Sequence, residues 1–165
     1  MKDVLVEKVT LNIGVGEAGD RVNHAVTILD RIANQKAVKT YGKKRIPTWN
    51  VRPGLPIGAK VTVRGAKAVA LLKRLFEAND KKLRERQFDR EGNVAFGIRS
   101  YIDIPDVRYD PEVGIFGLDV CVTLKRRGYR IKERKIANAN VGTAHKIKKE
   151  EAIDFVKTAF EVNIV

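Results

Sequence analysis

The chain has 165 residues, 44% hydrophobic and 7% aromatic, enough to bury one core of ordinary size, so a single domain over 1–165 is expected. Its 33 Lys and Arg against 20 Asp and Glu leave +13 at pH 7, outside the usual balance of a cytosolic metabolic enzyme and more than solubility needs. Cys121 is the only cysteine, which excludes an internal disulfide and a cysteine-built zinc site and fits a reducing, cytoplasmic compartment.

The opening MKDVLVEK carries charges where a signal peptide would need an apolar core, and no apolar run approaches membrane-spanning length. No membrane partner is expected. From Val4 to Val15 an apolar patch settles into alternation, with Val9, Leu11, Ile13 and Val15 on one side and Lys8, Thr10 and Asn12 on the other. A period of two predicts a half-exposed strand. Gly14 to Gly19 turns the chain and Asp20 is the expected N-cap of a helix, whose apolar positions are Val22, Ala25, Val26, Leu29, Ile32 and Ala33. Gln35 to Tyr41 is short enough for a further strand. Pro47, Pro53, Gly54, Pro56 and Gly58 then predict a loop, with Trp49 inside it.

Alternation returns from Ile57 to Arg64, where Ala59, Val61 and Val63 oppose Lys60, Thr62 and Arg64. The polar side repeats that of the first strand, with donors and small hydrogen-bonding groups and no acid. If the two strands share a sheet, this face is a basic platform. Gly65 opens a helix whose buried stripe is expected at Val69, Leu72, Leu75 and Phe76, and KKLRERQFDREGN reads as a loop. Asn93 to Ile98 and Leu118 to Lys125 are the next strands, joined by an acidic connection with Asp103, Asp106, Asp110 and Glu112. A basic arm follows, with Arg126, Arg127, Arg130, Lys132, Arg134 and Lys135, and it ends in an irregular Gly/Asn-rich run. Lys149 to Phe160 closes the chain as a helix, Glu150 and Glu151 in its first turn and Ala152, Ile153, Val156, Ala159 and Phe160 facing inward. The whole predicts an α+β fold, a mainly antiparallel sheet with helices on one face and a polar, basic second face.

Between Asp30 and Glu77 there is no carboxylate, although Lys36, Lys39, Lys43, Lys44, Arg45, Arg52, Lys60 and Arg64 all fall there. Like charges held on one face repel one another, and a polyanion offsets that repulsion by displacing its condensed counterions. Nucleic acid is the partner this implies.

Gly14, Gly16 and Gly19 spell G-x-G-x-x-G between a strand and a helix, the context of a dinucleotide-binding turn. An NADP-dependent oxidoreductase is therefore the rival reading, with Lys43, Lys44 and Arg45 toward the extra phosphate. Two objections weaken it. A Rossmann strand is buried on both faces, whereas Lys8, Thr10 and Asn12 need a solvated or ligand-covered one; and the acid that should hold a ribose hydroxyl is missing. His24 and His145 lack ligand-spaced partners, so no metal is expected, and Cys121, between Val120 and Val122, reads as a packing thiol. A general basic protein that compacts DNA is a third reading.

LNIGVGEAG at Leu11 to Gly19, NQKAVKT at Asn34 to Thr40, VRPGLPIGAKVTVRG at Val51 to Gly65 and FDREGNVAFGI at Phe88 to Ile98 resemble, in order and spacing, the signatures of ribosomal protein five of the large subunit. LKRRGYRIKERK and VGTAHKIKKEEAIDF are similar to the archaeal and eukaryotic branch of that family. The resemblance implies a non-enzymatic role without cofactor or small-molecule substrate: holding 5S rRNA in the central protuberance of the large subunit. It implies 5S rRNA binding at Asn12, Gln35 and Thr62, with Lys8, Thr10, Lys36, Lys60 and Arg64 around them. Large-subunit rRNA is expected at Lys43, Lys44, Arg45 and the basic arm. The Gly/Pro-rich loop would reach toward P-site tRNA with Arg52, Pro53, Gly54 and Leu55 at its tip. A contact with a small-subunit protein is assigned to Asp106 to Gly114. Where the family often has Gly-Gln-Lys/Arg-Pro, this chain has Asn34-Gln35-Lys36-Ala37, and losing the proline predicts a free N–H and a looser turn.

Overall fold

Val9, Leu11 and Ile13 alternate with Lys8, Thr10 and Asn12, and that alternation builds β1 (Val4–Gly14) with one dry and one open face, in a computed structural model that describes residues 1–165. After β1 come α1 (Asp20–Ala33), β2 (Val38–Tyr41), β3 (Pro56–Arg64) and α2 (Ala66–Glu77). The second half adds β4 (Lys82–Leu83), β5 (Val94–Ile98), β6 (Leu118–Arg126), α3 (Arg130–Glu133), α4 (Lys149–Phe160) and β7 (Asn163–Ile164). Five strands form an antiparallel sheet in the order β2-β3-β1-β6-β5, while β4 and β7 make a small parallel pair that ties the C-terminus to the segment after α2.

One face of the sheet is apolar, and α1, α2 and α4 supply the stripes that dry it. Ala25, Ile28, Leu29 and Ile32 come from α1, Ala68, Leu71, Leu72 and Leu75 from α2, and Ala152, Val156 and Phe160 from α4. They meet Val9, Leu11, Ile13, Val61, Val63, Val120 and Val122 in one continuous cluster. Burying each Val, Leu or Ile contributes about 1.5–3 kcal/mol. Phe76 joins three elements, stacking on Phe96 of β5 at 5.4 Å and meeting Phe160 of α4 edge-on at 5.3 Å.

The Gly14-Gly16-Gly19 turn serves the sheet. Its Val15 and Gly16 N–H groups both donate to the Ile57 carbonyl at 3.0 Å, which fixes the start of β3 beside the end of β1. There the strands approach so closely that a Cβ on Gly58 would stand 2.5 Å from the Ile13 carbonyl oxygen. The strand after α1 pairs antiparallel with β3, and β1 lies between antiparallel neighbours, so the parallel βαβ unit of a dinucleotide fold is absent and the oxidoreductase reading falls.

Several local expectations are corrected. Asp20 is the first helical residue and Gly19 the cap. Val69 and Ala159 face solvent, because the stripes run through 68, 71, 72 and 75 on α2 and in steps of four from 152 on α4. The Lys81 to Asn93 segment is not simply a loop: it carries β4, a 3-10 turn at Glu85–Gln87, and the buried Leu83 and Phe88. Phe76→Ala is expected to lower unfolding free energy by about 3–5 kcal/mol in a urea titration, because that one ring of α2 packs against both β5 and α4.

Candidate nucleic-acid interface

The open face of the sheet is a ladder of polar pairs. Across β1 and β3, Lys8 stands opposite Arg64, Thr10 opposite Thr62, and Asn12 opposite Lys60. The Thr10 and Thr62 hydroxyl oxygens are 3.4 Å apart. No helix lies over them: Lys8, Thr10, Asn12 and Thr62 are half-exposed, and Lys60 and Arg64 are exposed. On its other side β1 pairs with β6, which adds Thr123 beside Lys8, Cys121 beside Thr10 and Asp119 beside Asn12.

Two carboxylates intrude on this face. Asp119 sits next to Asn12, across the strand from Lys60. Glu7 is the extra residue of a bulge between Val6 and Lys8; its side chain, only 9% exposed, accepts a hydrogen bond from Arg64 at 3.2 Å. Lys8 and Arg64 are like charges in direct register, a repulsive arrangement, and Glu7 relieves part of it. Cys121 is exposed on this face and not a packing thiol, because Val120 and Val122 take the buried positions on either side.

Gln35 and Lys36 are exposed in the turn that leads from α1 into β2, the strand whose Val38 pairs with Lys60. The turn is tethered, contrary to the expectation from the missing proline. Asn34 closes α1 in a left-handed conformation, and the Ala37 N–H donates to the Asp30 carboxylate of α1. Ala37 itself is buried.

The loop between β2 and β3 is a hairpin in its own right. Ile46 and Val51 exchange both backbone hydrogen bonds, at 2.9 and 3.2 Å, around a 3-10 turn at Pro47–Trp49. Its tip is therefore Pro47 to Asn50. Arg52, Pro53, Gly54 and Leu55, expected at the tip, form a turn at the base, where Gly42 donates to Leu55 at 2.8 Å and accepts from Gly54 at 3.0 Å. Lys43, Lys44 and Arg45 are exposed along the rising limb.

In the arm after β6, Arg127, Arg130, Lys132, Arg134 and Lys135 are exposed. The arm folds back on itself: Tyr129 Oη donates to the His145 carbonyl at 3.3 Å and accepts from the Ile147 N–H at 3.1 Å, while the His145 ring nitrogen bonds the Arg127 carbonyl at 2.9 Å. Arg126 does not belong with these cations. Its side chain is 7% exposed and its Nη2 meets Glu151 Oε2 at 2.7 Å, so an RNA phosphate cannot reach it without breaking that pair.

With this geometry in place, comparison with known proteins decides the family. The description "Ribosomal protein L5" matches residues 1–52, and "ribosomal L5P family C-terminus" matches residues 56–155. The large ribosomal subunit protein uL5 of Nanoarchaeum equitans is 47% identical over 166 residues, covering 100% of this chain and 98% of the relative. That of Sulfolobus acidocaldarius is 46% identical, covering 100% of this chain and 93% of the relative, and that of Methanococcus aeolicus 44%, covering 96% and 90%. The chain belongs to the ribosomal L5 family. It is thus a ribosomal protein of the large subunit, part of a ribonucleoprotein and not an enzyme, with archaeal relatives.

In this L5 chain two of the four carboxylates of the acidic connection are neutralised from within. Asp110 pairs with Arg31 of α1 at 2.9 Å, and Asp106 with Arg74 of α2 at 3.6 Å, leaving Asp103 and Glu112 without a cation of this chain. No group of three or more His, Cys, Asp or Glu side chains stands together where a metal ion could be held, and no helix is long and apolar enough to cross a membrane.

Glu151 both caps α4, accepting the Lys148 N–H at 3.0 Å, and faces Arg126. The Lys148 N–H bond holds its carboxyl below the ordinary value of 4.5; burial, the next largest influence, opposes this, and the hydrogen bond and charge of the Arg126 guanidinium add to the lowering. A depressed folded-state value means that the stabilisation is complete above the unfolded value and is lost as pH falls through the folded one. Glu151→Gln should therefore destabilise the fold by about 1–3 kcal/mol at neutral pH, less than for a fully buried pair because Glu151 is partly exposed. Below pH 4.5 the difference from the parent chain should shrink, as read by urea titration across pH.

Proposed function

We propose that the open sheet face binds 5S rRNA and so helps hold it in the large subunit. The observation that carries this is the β1–β3 register, which sets Asn12, Thr10 and Thr62 side by side between Lys8, Lys60 and Arg64, uncovered by any helix. Lysine and arginine position a phosphate backbone, whereas amide and hydroxyl groups reach 2′-hydroxyls and exposed base edges, which folded RNA displays. Gln35 and Lys36 extend the same surface from the turn before β2. Lys43, Lys44, Arg45 and the exposed cations of the arm face large-subunit rRNA, the Gly42–Leu55 hairpin reaches toward P-site tRNA, and the Asp106 to Gly114 connection meets a small-subunit protein. The internal pairing of Asp106 and Asp110 makes Glu112 the carboxylate available for that last partner.

Asn12→Ala or Thr62→Ala is expected to weaken 5S rRNA binding by about 1–3 kcal/mol, the range for leaving a polar partner unsatisfied, with the urea midpoint nearly unchanged. Filter binding with 5S rRNA and an unrelated RNA checks this, and equal losses on both would remove the specific site. Replacing Lys43, Lys44 and Arg45 together by alanine should flatten the salt dependence of rRNA binding, the logarithmic slope falling by roughly 0.7 to 0.9 for each phosphate no longer neutralised. An unchanged slope would take them out of the interface.

A further inference from the structure

Trp49 is the only tryptophan of the chain, and it is 70% exposed at the tip of the hairpin between β2 and β3. No ring or guanidinium of the chain stacks on it. Its backbone is nevertheless tightly specified. The Trp49 N–H donates to the Ile46 carbonyl at 3.3 Å, Pro47 presets the first residue of the turn, and Asn50 leaves it in a left-handed conformation with φ 52°. Below the turn Val51 is buried against Gly42 on the facing limb, where a Cβ would come within 2.9 Å of the Val51 side chain, so the two limbs of the hairpin stem close tightly on each other. A large aromatic is thus held out into solvent by a fixed turn.

Its surroundings indicate what covers it. Lys43, Lys44, Arg45 and Arg52 flank the turn, all exposed and none paired with a carboxylate of this chain. The core of a protein interface is depleted of charge and of lysine in particular, whereas this ring stands among Lys43, Lys44, Arg45 and Arg52 with only Pro47, Thr48 and Asn50 exposed beside it. A ring surrounded by unpaired cations matches a nucleobase with phosphates on either side: the ring takes the π-face and the cations take the backbone. We propose that Trp49 is a base-stacking residue, closing on an exposed nucleobase of a folded RNA while Lys43, Lys44, Arg45 and Arg52 hold the adjoining phosphates. This rests on the RNA-binding role proposed above, and it moves the RNA-facing point of the hairpin from Arg52–Leu55 to its tip.

Because there is one tryptophan, its emission reports on this residue alone. The whole chain is titrated with 5S rRNA, and the resulting complex then with large-subunit rRNA and, separately, with tRNA, following emission and filter retention together; a blunt A-form RNA duplex and anionic phosphatidylserine vesicles are parallel probes. Saturable quenching by 5S rRNA, large-subunit rRNA or tRNA is expected, and the arm that gives it names the RNA whose base is stacked. Trp49→Ala should weaken binding of that RNA about 5- to 100-fold, and Trp49→Phe by less than about 3-fold, with both variants keeping the parent's urea midpoint. Emission unchanged while 5S rRNA is retained and large-subunit rRNA and tRNA are added would overturn the stack but leave the sheet-face reading standing. A blue shift with vesicles and no quenching by any of these RNAs would also overturn it. Failure of 5S rRNA to be retained at all would overturn the stack and the proposed function together.

Discussion

The antiparallel register of β1 on β3 is the constraint on which the rest depends. A slip of one residue would turn Val9, Leu11 and Ile13 outward and Thr10 and Asn12 into the core. Two features exclude that slip. The apolar stripes of α1 and α2 demand a continuous dry face, and the Gly14–Gly58 end of the ladder is so close that only glycine fits opposite the Ile13 carbonyl. The Val15 and Gly16 N–H groups then lock the register from outside the ladder through Ile57. The same geometry that makes a core therefore makes the polar ladder, and neither can move without the other.

The charge on the open face is tuned rather than maximal. Lys8 opposite Arg64 is repulsive in isolation, yet the Glu7 bulge brings a carboxylate to Arg64, and Asp119 lies beside Asn12 across from Lys60. A surface of unrelieved cations would bind any polyanion; one in which uncharged donors and acceptors sit between partly compensated cations draws more of its affinity from directed hydrogen bonds. The clusters of neighbouring cations without a carboxylate among them lie instead on the hairpin and the arm, at the margins of the sheet, while Lys8 and Lys60 stand singly on the face. Positioning by charge at the edges and discrimination at the centre is a division of labour suited to folded RNA.

Alternation made the main strands and their faces legible in the sequence, because period two with one buried face has a single solution. Features set by tertiary pairing were not. Arg126 reads as one of a run of cations, and only the return of α4 shows that Glu151 waits for it. The Glu7 bulge has no local signature. Asp119 falls in a strand whose neighbour could not be known, so its place beside Asn12 was hidden. Proline and glycine marked a loop before β3, although Pro56 and Gly58 already belong to that strand, and they could not show that Ile46 and Val51 pair, which decides that the tip is Pro47–Asn50 and the base Arg52–Leu55. The family itself was legible from the order of four short strings, since glycines and polar strand residues at fixed separations are a stronger constraint than any one of them.

The turn at Asn34–Ala37 shows how a local change is absorbed. A proline at 37 would restrict the backbone covalently and remove a donor; alanine restores the donor, and Asp30, one helical turn before the end of α1, accepts it. A buried, unsatisfied N–H at this point would cost about 1–3 kcal/mol and would splay the chain at the corner where Gln35 and Lys36 must be presented. Rigidity by ring closure and rigidity by a hydrogen bond to a helix side chain are physically different solutions that leave the same two polar residues exposed at the same corner of the sheet. The second makes the corner answerable to α1, so that the helix facing the core and the exposed polar residues at the corner are coupled through a single carboxylate.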